Sequence, residues 1–433
     1  MQRETMVQPQ VQLPSEVWSH VFGYLSATDK FSVRASCRYF RKLVDHGALW
    51  KDWAVILGFQ TGPYNSGFWA TLRRRKVSSV VVRSTRAKDW EQLAQALPAV
   101  GTVVMDQRSP KSFDCLKGFP GLKRLAIRSS SAVLLPDTFT LSQPQLLTHF
   151  SLCTVTFPIK AMESLLSAVS LFPNLTTLTC HHMGLNGETL LMIRSILMCL
   201  PKLKHLSLSA VHRRCICIPR SDPSSSAGAC GQALLSLELI DCMDHSLPED
   251  AMKLMPGLKS LTVFYKHSHQ ESPSTGYHLK TWLSDLPHLS TLVIVKGPPV
   301  KNYVTSIPAT VTSLTLCTGL SSEEIAAVAV QVPDLLHLHI DPWPSHLGAH
   351  TAQIPQLFPK LKSLKLRHEH VPEKDFLHLH QLQDLQHLEV VDNRPQLLEL
   401  TRKLQVLTNH RLQVTTCPRQ RDVFCCPCVC QVY

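Results

Sequence analysis

At 433 residues, 44% hydrophobic and 18% charged, the chain is too apolar for global disorder and too long for one compact core, which leaves several domains or one extended array. No apolar run reaches the roughly 18 residues of a membrane span, and fifteen cysteines without framework spacing read as reduced thiols of a cytoplasmic or nuclear protein. The net charge of +12 suits acidic partners and is silent on fold.

Residues 1–12, beginning "MQRETMVQPQ", are polar, lack the apolar centre of a secretory signal and are expected to be disordered. Residues 13–52 follow with "LPSEVWSHVFGYLSATDKFSVRASCRYFRKLVDHGALW", which reads as three short helices. In the first helix Val17, Val21 and Leu25 fall at i, i+4 and i+8, with Trp18 and Phe22 one position along. That stripe is wider than one side of a small hairpin can use, and about forty residues cannot bury a self-sufficient core. "SATD" has capping-box spacing before the second helix. Residues 53–76 read as a linker ending in "RRRK", a solvated charge run.

From residue 77 to 412 one phrase recurs: "PGLKRLAI" at 120–127, "PKLKHLSL" at 201–208, "PGLKSLTV" at 256–263 and "PKLKSLKL" at 359–366. Aligned copies place an apolar residue at Leu125, Phe150, Leu178, Leu206, Leu237, Leu261, Leu292, Leu314, Leu338, Leu364 and Leu388, with weaker copies ending at Val82 and Met105. A period in the twenties with Leu-x-x-Leu-x-Leu is the signature of leucine-rich repeats. Leu-x-Leu alternates inward and outward on a strand that buries its leucines only against neighbouring repeats. "AMESLLSAVSLF", "GETLLMIRSILMCL", "SSEEIAAVAVQV" and "PEKDFLHLHQLQ" have the apolar spacing of helices between the strands, and "RSDPSSSAGA" and "YKHSHQESPSTG" read as polar surface loops. The expected architecture is α/β: three N-terminal helices, then a curved solenoid with parallel strands inside and helices outside.

Four His-x-His pairs (267/269, 337/339, 368/370 and 378/380) lack a companion Cys-x-x-Cys or His-Glu-x-x-His, so neither a metal site nor any cofactor is expected. No cysteine stands in a nucleophile context, and basic residues do not interleave with aromatics, so neither an enzyme nor a nucleic-acid binder is expected. The tail, 413–433, holds Cys425, Cys426, Cys428 and Cys430. Lipidation, which would add a membrane partner, metal binding by the thiols, and a disordered tail without a role are all compatible with its sequence.

Residues 13–52 resemble the F-box, and the whole chain is similar to the F-box and leucine-rich-repeat family. The matching residues are Leu13-Pro14, Glu16, Val21-Phe22, Leu25, Cys37-Arg38, Leu43 and Leu49-Trp50; Ser36 and Phe40 depart from the usual Val and Trp. The resemblance implies a non-catalytic substrate receptor of a cullin–RING ubiquitin ligase. Its F-box would dock on the S-phase-kinase-associated adaptor, with Leu13, Pro14, Val17, Val21, Phe22, Leu25 and Trp50 making or supporting the interface, and its repeats would hold a protein substrate for ubiquitination. The other reading is a ligase-independent leucine-rich-repeat scaffold or inhibitor, with the N-terminal helices as a cap.

Strand alternation places the substrate site on the concave face. Arg124, Arg128, His149 and His181 stand on the first repeats, Glu238, Ile240, Phe264, Val293 and Val295 in the middle, and His337, His339, Lys365, Arg367 and His387 on the last. The expectation is an apolar centre, Ile240, Phe264, Val293 and Val295, with cationic ends that include His337, His339, Lys365 and Arg367.

Overall fold

The computed structural model describes residues 13–50, 53–59, 62–106, 113–128, 141–155, 161–183, 189–209, 231–242, 247–268, 278–342, 347–392 and 397–417. The chain falls into two compact units, one chiefly residues 1–132 with 138–143, the other chiefly 144–432.

In the first unit, helices α1 (Ser15–Gly23), α2 (Ala27–Ser36) and α3 (Arg38–Val44) precede strand β1 (Ala54–Leu57), α4 (Ser66–Arg74), β2 (Ser79–Val82), α5 (Ala87–Ala96), β3 (Thr102–Met105) and β4 (Arg124–Arg128). Ser26 caps α2, accepting from the Asp29 amide at 3.1 Å, which is one half of a capping box; the Asp29 carboxylate accepts from the Ser26 hydroxyl at 2.6 Å in place of the backbone amide of the other half. The four strands pair in parallel, with Val55, Val80, Val103 and Leu125 in one row.

The span 53–76 is therefore not a linker. It is a strand and helix of the first coil, and β1 extends the sheet one coil earlier than the repeated phrase shows. "AVIL" lacks the Leu-x-x-Leu-x-Leu phrase, and four apolar residues pair as well without it.

The second unit continues with β5 (His149–Cys153), α6 (Ala161–Ser170), β6 (Thr177–His181), α7 (Thr189–Cys199), β7 (His205–Ser209), β8 (Ser236–Cys242), β9 (Ser260–Ser268), α8 (Leu279–Ser284) and β10 (Thr291–Gly297). It ends with β11 (Ser313–Cys317), α9 (Ser322–Gln331), β12 (His337–Ile340), α10 (Ile354–Leu357), β13 (Ser363–Arg367), α11 (Glu373–Leu377), β14 (His387–Val391), α12 (Leu397–Leu407) and β15 (Gln413–Cys417). Phe150, Leu178, Leu206, Leu237, Leu261, Leu292, Leu314, Leu338, Leu364, Leu388 and Val414 form one uninterrupted row of parallel partners. All but Val414 are buried to 2% exposure or less. At about 2 kcal/mol for each buried leucine, the row is what each coil gains from its neighbours and could not secure alone.

Two expected boundaries move. β15 carries the strands past residue 412 into the segment read as tail, and β9 runs through Tyr265–Ser268, the start of a segment read as loop. Tyr265 is buried over Gly297, where φ is +80° and a Cβ would come within 2.3 Å of the ring, so only glycine fits there.

The alternation on these strands stops at the second leucine. Two residues later Thr154, His182, Asp241 and Lys296 take φ of 55°, 49°, 53° and 60°, a left-handed exit from the strand. The residue between is buried on three of these strands, as His181, Ile240 and Val295, and half-buried as Cys153; Cys317 and Arg367, at the equivalent positions of β11 and β13, are buried too.

Candidate protein-interaction surfaces

The wide apolar stripe of α1 divides in two. Trp18, Phe22 and Leu25 pack inward with Val33, Phe40, Leu43, Val44, Leu49, Trp50 and Trp53. Trp18 stacks on Phe22 at 5.6 Å between ring centroids, and Phe40 meets both rings edge-on at 4.8 and 5.3 Å. The other half stays outside: Leu13 at 38% exposure, Val17 and Val21 at 41% and Tyr24 at 79% lie at i, i+4, i+8 and i+11. Phe31 and Tyr39 are also exposed. They were missed in the sequence because each is one aromatic in a short helix without a clear period.

Of the residues expected to meet an adaptor, Leu13, Pro14, Val17 and Val21 are thus on the surface and Leu25 is half-buried. Phe22 and Trp50 are in the supporting position, not on the surface. At 2% and 5% exposure they belong to the core, and their contribution is to hold α1 in place from beneath.

That core closes on charges from the first coil. Asp45, buried at the end of α3, accepts from Arg34 at 2.9 Å, Arg74 at 2.6 Å and Arg75 at 2.8 Å. The guanidinium of Arg75, itself buried, lies 4.1 Å from the Trp50 ring centroid and 5.3 Å from that of Phe31. Burial alone would raise the Asp45 pKa, but hydrogen bonds from Arg34 and Arg75 outweigh it and hold the carboxyl below its ordinary value. Lys30, also buried, donates to the Leu49 carbonyl at 3.2 Å and sits 4.9 Å from the Trp53 ring centroid; desolvation lowers its pKa. "RRRK" is therefore solvated only in part: Arg73, Arg74 and Lys76 are exposed, but Arg74 and the buried Arg75 tie the three helices to the first coil. No local spacing reveals this, because Asp45 lies about thirty residues upstream.

On the strands of the second unit, the residue between the two leucines forms a second row: Ser151, Thr179, Ser207, Glu238, Thr262, Val293, Thr315, His339, Lys365, Glu389 and Thr415. Neighbours stand about 4.8 Å apart. Hydroxyls dominate the row.

The expected apolar centre is thinner than alternation implied, since Ile240 and Val295 are buried and only Phe264 and Val293 are partly exposed. The left-handed exit after the second leucine is the cause. The expected cationic end is largely neutralised. Lys365 Nζ lies 2.7 Å from Glu389 Oε1, which also accepts from the Cys417 thiol at 3.0 Å. Burial acts to raise the Glu389 pKa, and those two hydrogen bonds bring it below normal. Arg367, at 4% exposure, is paired with Asp341 at 2.8 Å and Glu369 at 3.5 Å and is not a surface residue. His337 is exposed at the strand entry. His339 is depressed to about 4, first by burial and then by the Lys365 charge. Arg128 and His181 are buried as well, while Arg124 is exposed.

Cys425, Cys426, Cys428 and Cys430 lie outside the described residues. Among the described residues no group of three or more His, Cys, Asp or Glu could hold a metal ion, and no helix is long and apolar enough to cross a membrane.

Residues 11–53 match the F-box-like family. No curated protein matches the chain. Among solved structures, the chain is similar to the leucine-rich repeat-containing protein LegL7 from Legionella pneumophila, at 13% identity and a TM-score of 0.39, covering 71% of this chain and 87% of that one. It is also similar to the TLR13–ssRNA13 complex, at 14% identity and a TM-score of 0.43, covering 73% of this chain and 48% of that one. The chain carries an F-box-like segment followed by leucine-rich repeats, the latter evident in its own strand register, and both are protein-interaction architectures.

Proposed function

We propose that the protein is the substrate receptor of a cullin–RING ubiquitin ligase. The observation that carries this reading is the outer stripe of α1, with Leu13, Val17, Val21 and Tyr24 exposed on a segment that matches the F-box-like family. A helix with a packed inner stripe has no internal use for a second apolar stripe, and contiguous exposed apolar surface marks an interaction site. Leu13, Pro14, Val17 and Val21 meet the adaptor, Leu25 flanks them, and Phe22 and Trp50 set the helix from inside. The second row of the strand face, from Ser207 to Glu389, receives a protein substrate. The test is reconstitution with the adaptor and cullin: wild type co-elutes with both, and Val17→Glu with Val21→Glu does not.

The competing reading, a ligase-independent scaffold capped by its N-terminal helices, draws on the Asp45 cluster, which joins those helices to the first coil. Deleting residues 1–52 would strand Arg75 without Asp45 or Trp50 under either reading, so surface substitutions are the discriminating test.

A further inference from the structure

Glu238 is the one carboxylate in the middle of the strand face, on β8 between Ser207 and Thr262. Among the described residues it has no cationic partner, whereas Lys365 and Arg367 are both paired with carboxylates of the chain. Its orientation is set from below. The Ser207 hydroxyl donates to Glu238 Oε2, and His181 Nε2 lies 2.6 Å from the same hydroxyl oxygen. Serine has one proton to give and Glu238 receives it, so the His181 nitrogen is the donor to Ser207. His181 is 1% exposed and Ser207 is buried, so two buried side chains hold a half-exposed carboxylate in one position.

Apolar surface lies beside it. Thr262 pairs with Glu238, and Phe264 follows two residues along β9 on the same face, about 6.6 Å further. Val293 pairs with Thr262 from the other side. Phe264 and Val293 are both partly exposed. The next charge in that line, Lys266, lies four residues beyond Thr262, about 13 Å along the strand, too far to neutralise Glu238. Asp241, which follows on β8, adds a second negative charge 3.7 Å from His182.

We infer that this patch receives an arginine of the protein substrate, its guanidinium on Glu238 and its stem against Phe264 and Val293. An arginine fork matches a carboxylate in two hydrogen bonds, and its planar head stacks on an aromatic face. The sign is opposite to the acidic-flanked partner that the bare residue types imply, because the lysine and arginine on the last repeats are already spent within the fold. The inference rests on the strand face being the substrate surface.

The test uses the full chain co-purified with its adaptor and immobilised random nonapeptide pools whose central residue is fixed as Arg, citrulline or Glu. Wild type retains the Arg pool about tenfold over the other two. Glu238→Gln, nearly isosteric, removes that preference, and Glu238→Lys reverses it toward the Glu pool. Ser207 is a positioning residue: Ser207→Ala lowers the Arg-over-citrulline ratio, and Ser207→Thr, which keeps the hydroxyl, restores it. Equal retention of all pools by wild type, or an unchanged preference in Glu238→Lys, overturns the inference. Adaptor co-elution is scored in the same samples, so loss of the adaptor from wild type counts against the receptor reading separately from the pool comparison.

Discussion

Arg75 holds the Asp45 carboxylate through two hydrogen bonds, of 3.0 and 2.8 Å, across thirty residues of sequence, with its guanidinium over Trp50. One side chain of the first coil thus closes both the charge cluster and the aromatic core of the F-box-like helices.

Removing one partner of that buried pair leaves the other unpaired, so Asp45→Ala and Arg75→Ala each cost about 3–5 kcal/mol. Chemical denaturation should show the helices and the first coil losing structure in one transition. Because the folded-state pKa of Asp45 is lowered, its contribution is complete above the unfolded value of about 3.9 and is lost as pH falls through the folded value. Asp45→Asn should lose that part of the acid sensitivity.

Phe22 and Val21 adjoin in sequence and differ in role. Phe22→Ala empties core volume and should cost about 3–5 kcal/mol, lowering the melting temperature of the first unit. Val21→Glu lies on an exposed face and should shift stability by about 0.5 kcal/mol or less while abolishing adaptor capture. Thermal melts paired with adaptor co-purification separate the two.

Lys365 and Arg367 should separate in the same way. The Lys365–Glu389 bridge is partly exposed on both sides, so Lys365→Ala should cost about 1 kcal/mol or less and weaken further with salt. Arg367→Ala leaves Asp341 without its buried partner and should cost about 3 kcal/mol or more. Urea midpoints of the two variants at low and high salt decide this.

His339 supplies a pH dependence. Its folded pKa of about 4 lies below the unfolded value of about 6.5, so between these the unfolded chain binds more protons. Stability of the second unit should therefore fall as pH drops from about 6.5 toward 4, with a slope from this residue approaching about 1 kcal/mol per pH unit. His339→Asn should flatten the curve in that window, as measured by urea titrations at stepped pH.

The repeats were legible because Leu-x-Leu is a periodic, local signal: the row from Phe150 to Leu388 has the register that aligning the phrase implies. What escaped was local geometry without a periodic mark, or contact across distance. Ala54–Leu57 pairs as a strand without the phrase. Ile240 and Val295 sit one residue past the second leucine, where a left-handed residue ends the alternation, and Arg367 is buried at the equivalent position of β13; nothing in their side-chain types announces this. On α1 the sequence showed the full apolar width; only packing shows that Trp18 and Phe22 use the inner half and Val17 and Val21 do not. Charge was misread for a similar reason. Arg75 and Arg367 look solvated in a string of letters, yet each has a carboxylate waiting on another element.

Whether α1 docks the protein on a ligase is decided by reconstitution of wild type and of Val17→Glu/Val21→Glu with purified adaptor and cullin–RING core, with folding of both followed by melting. Wild type should elute with the ligase core, the double variant should elute alone, and both should melt at the same temperature. A double variant that still joins the core, or a wild type that never does, would contradict docking through α1.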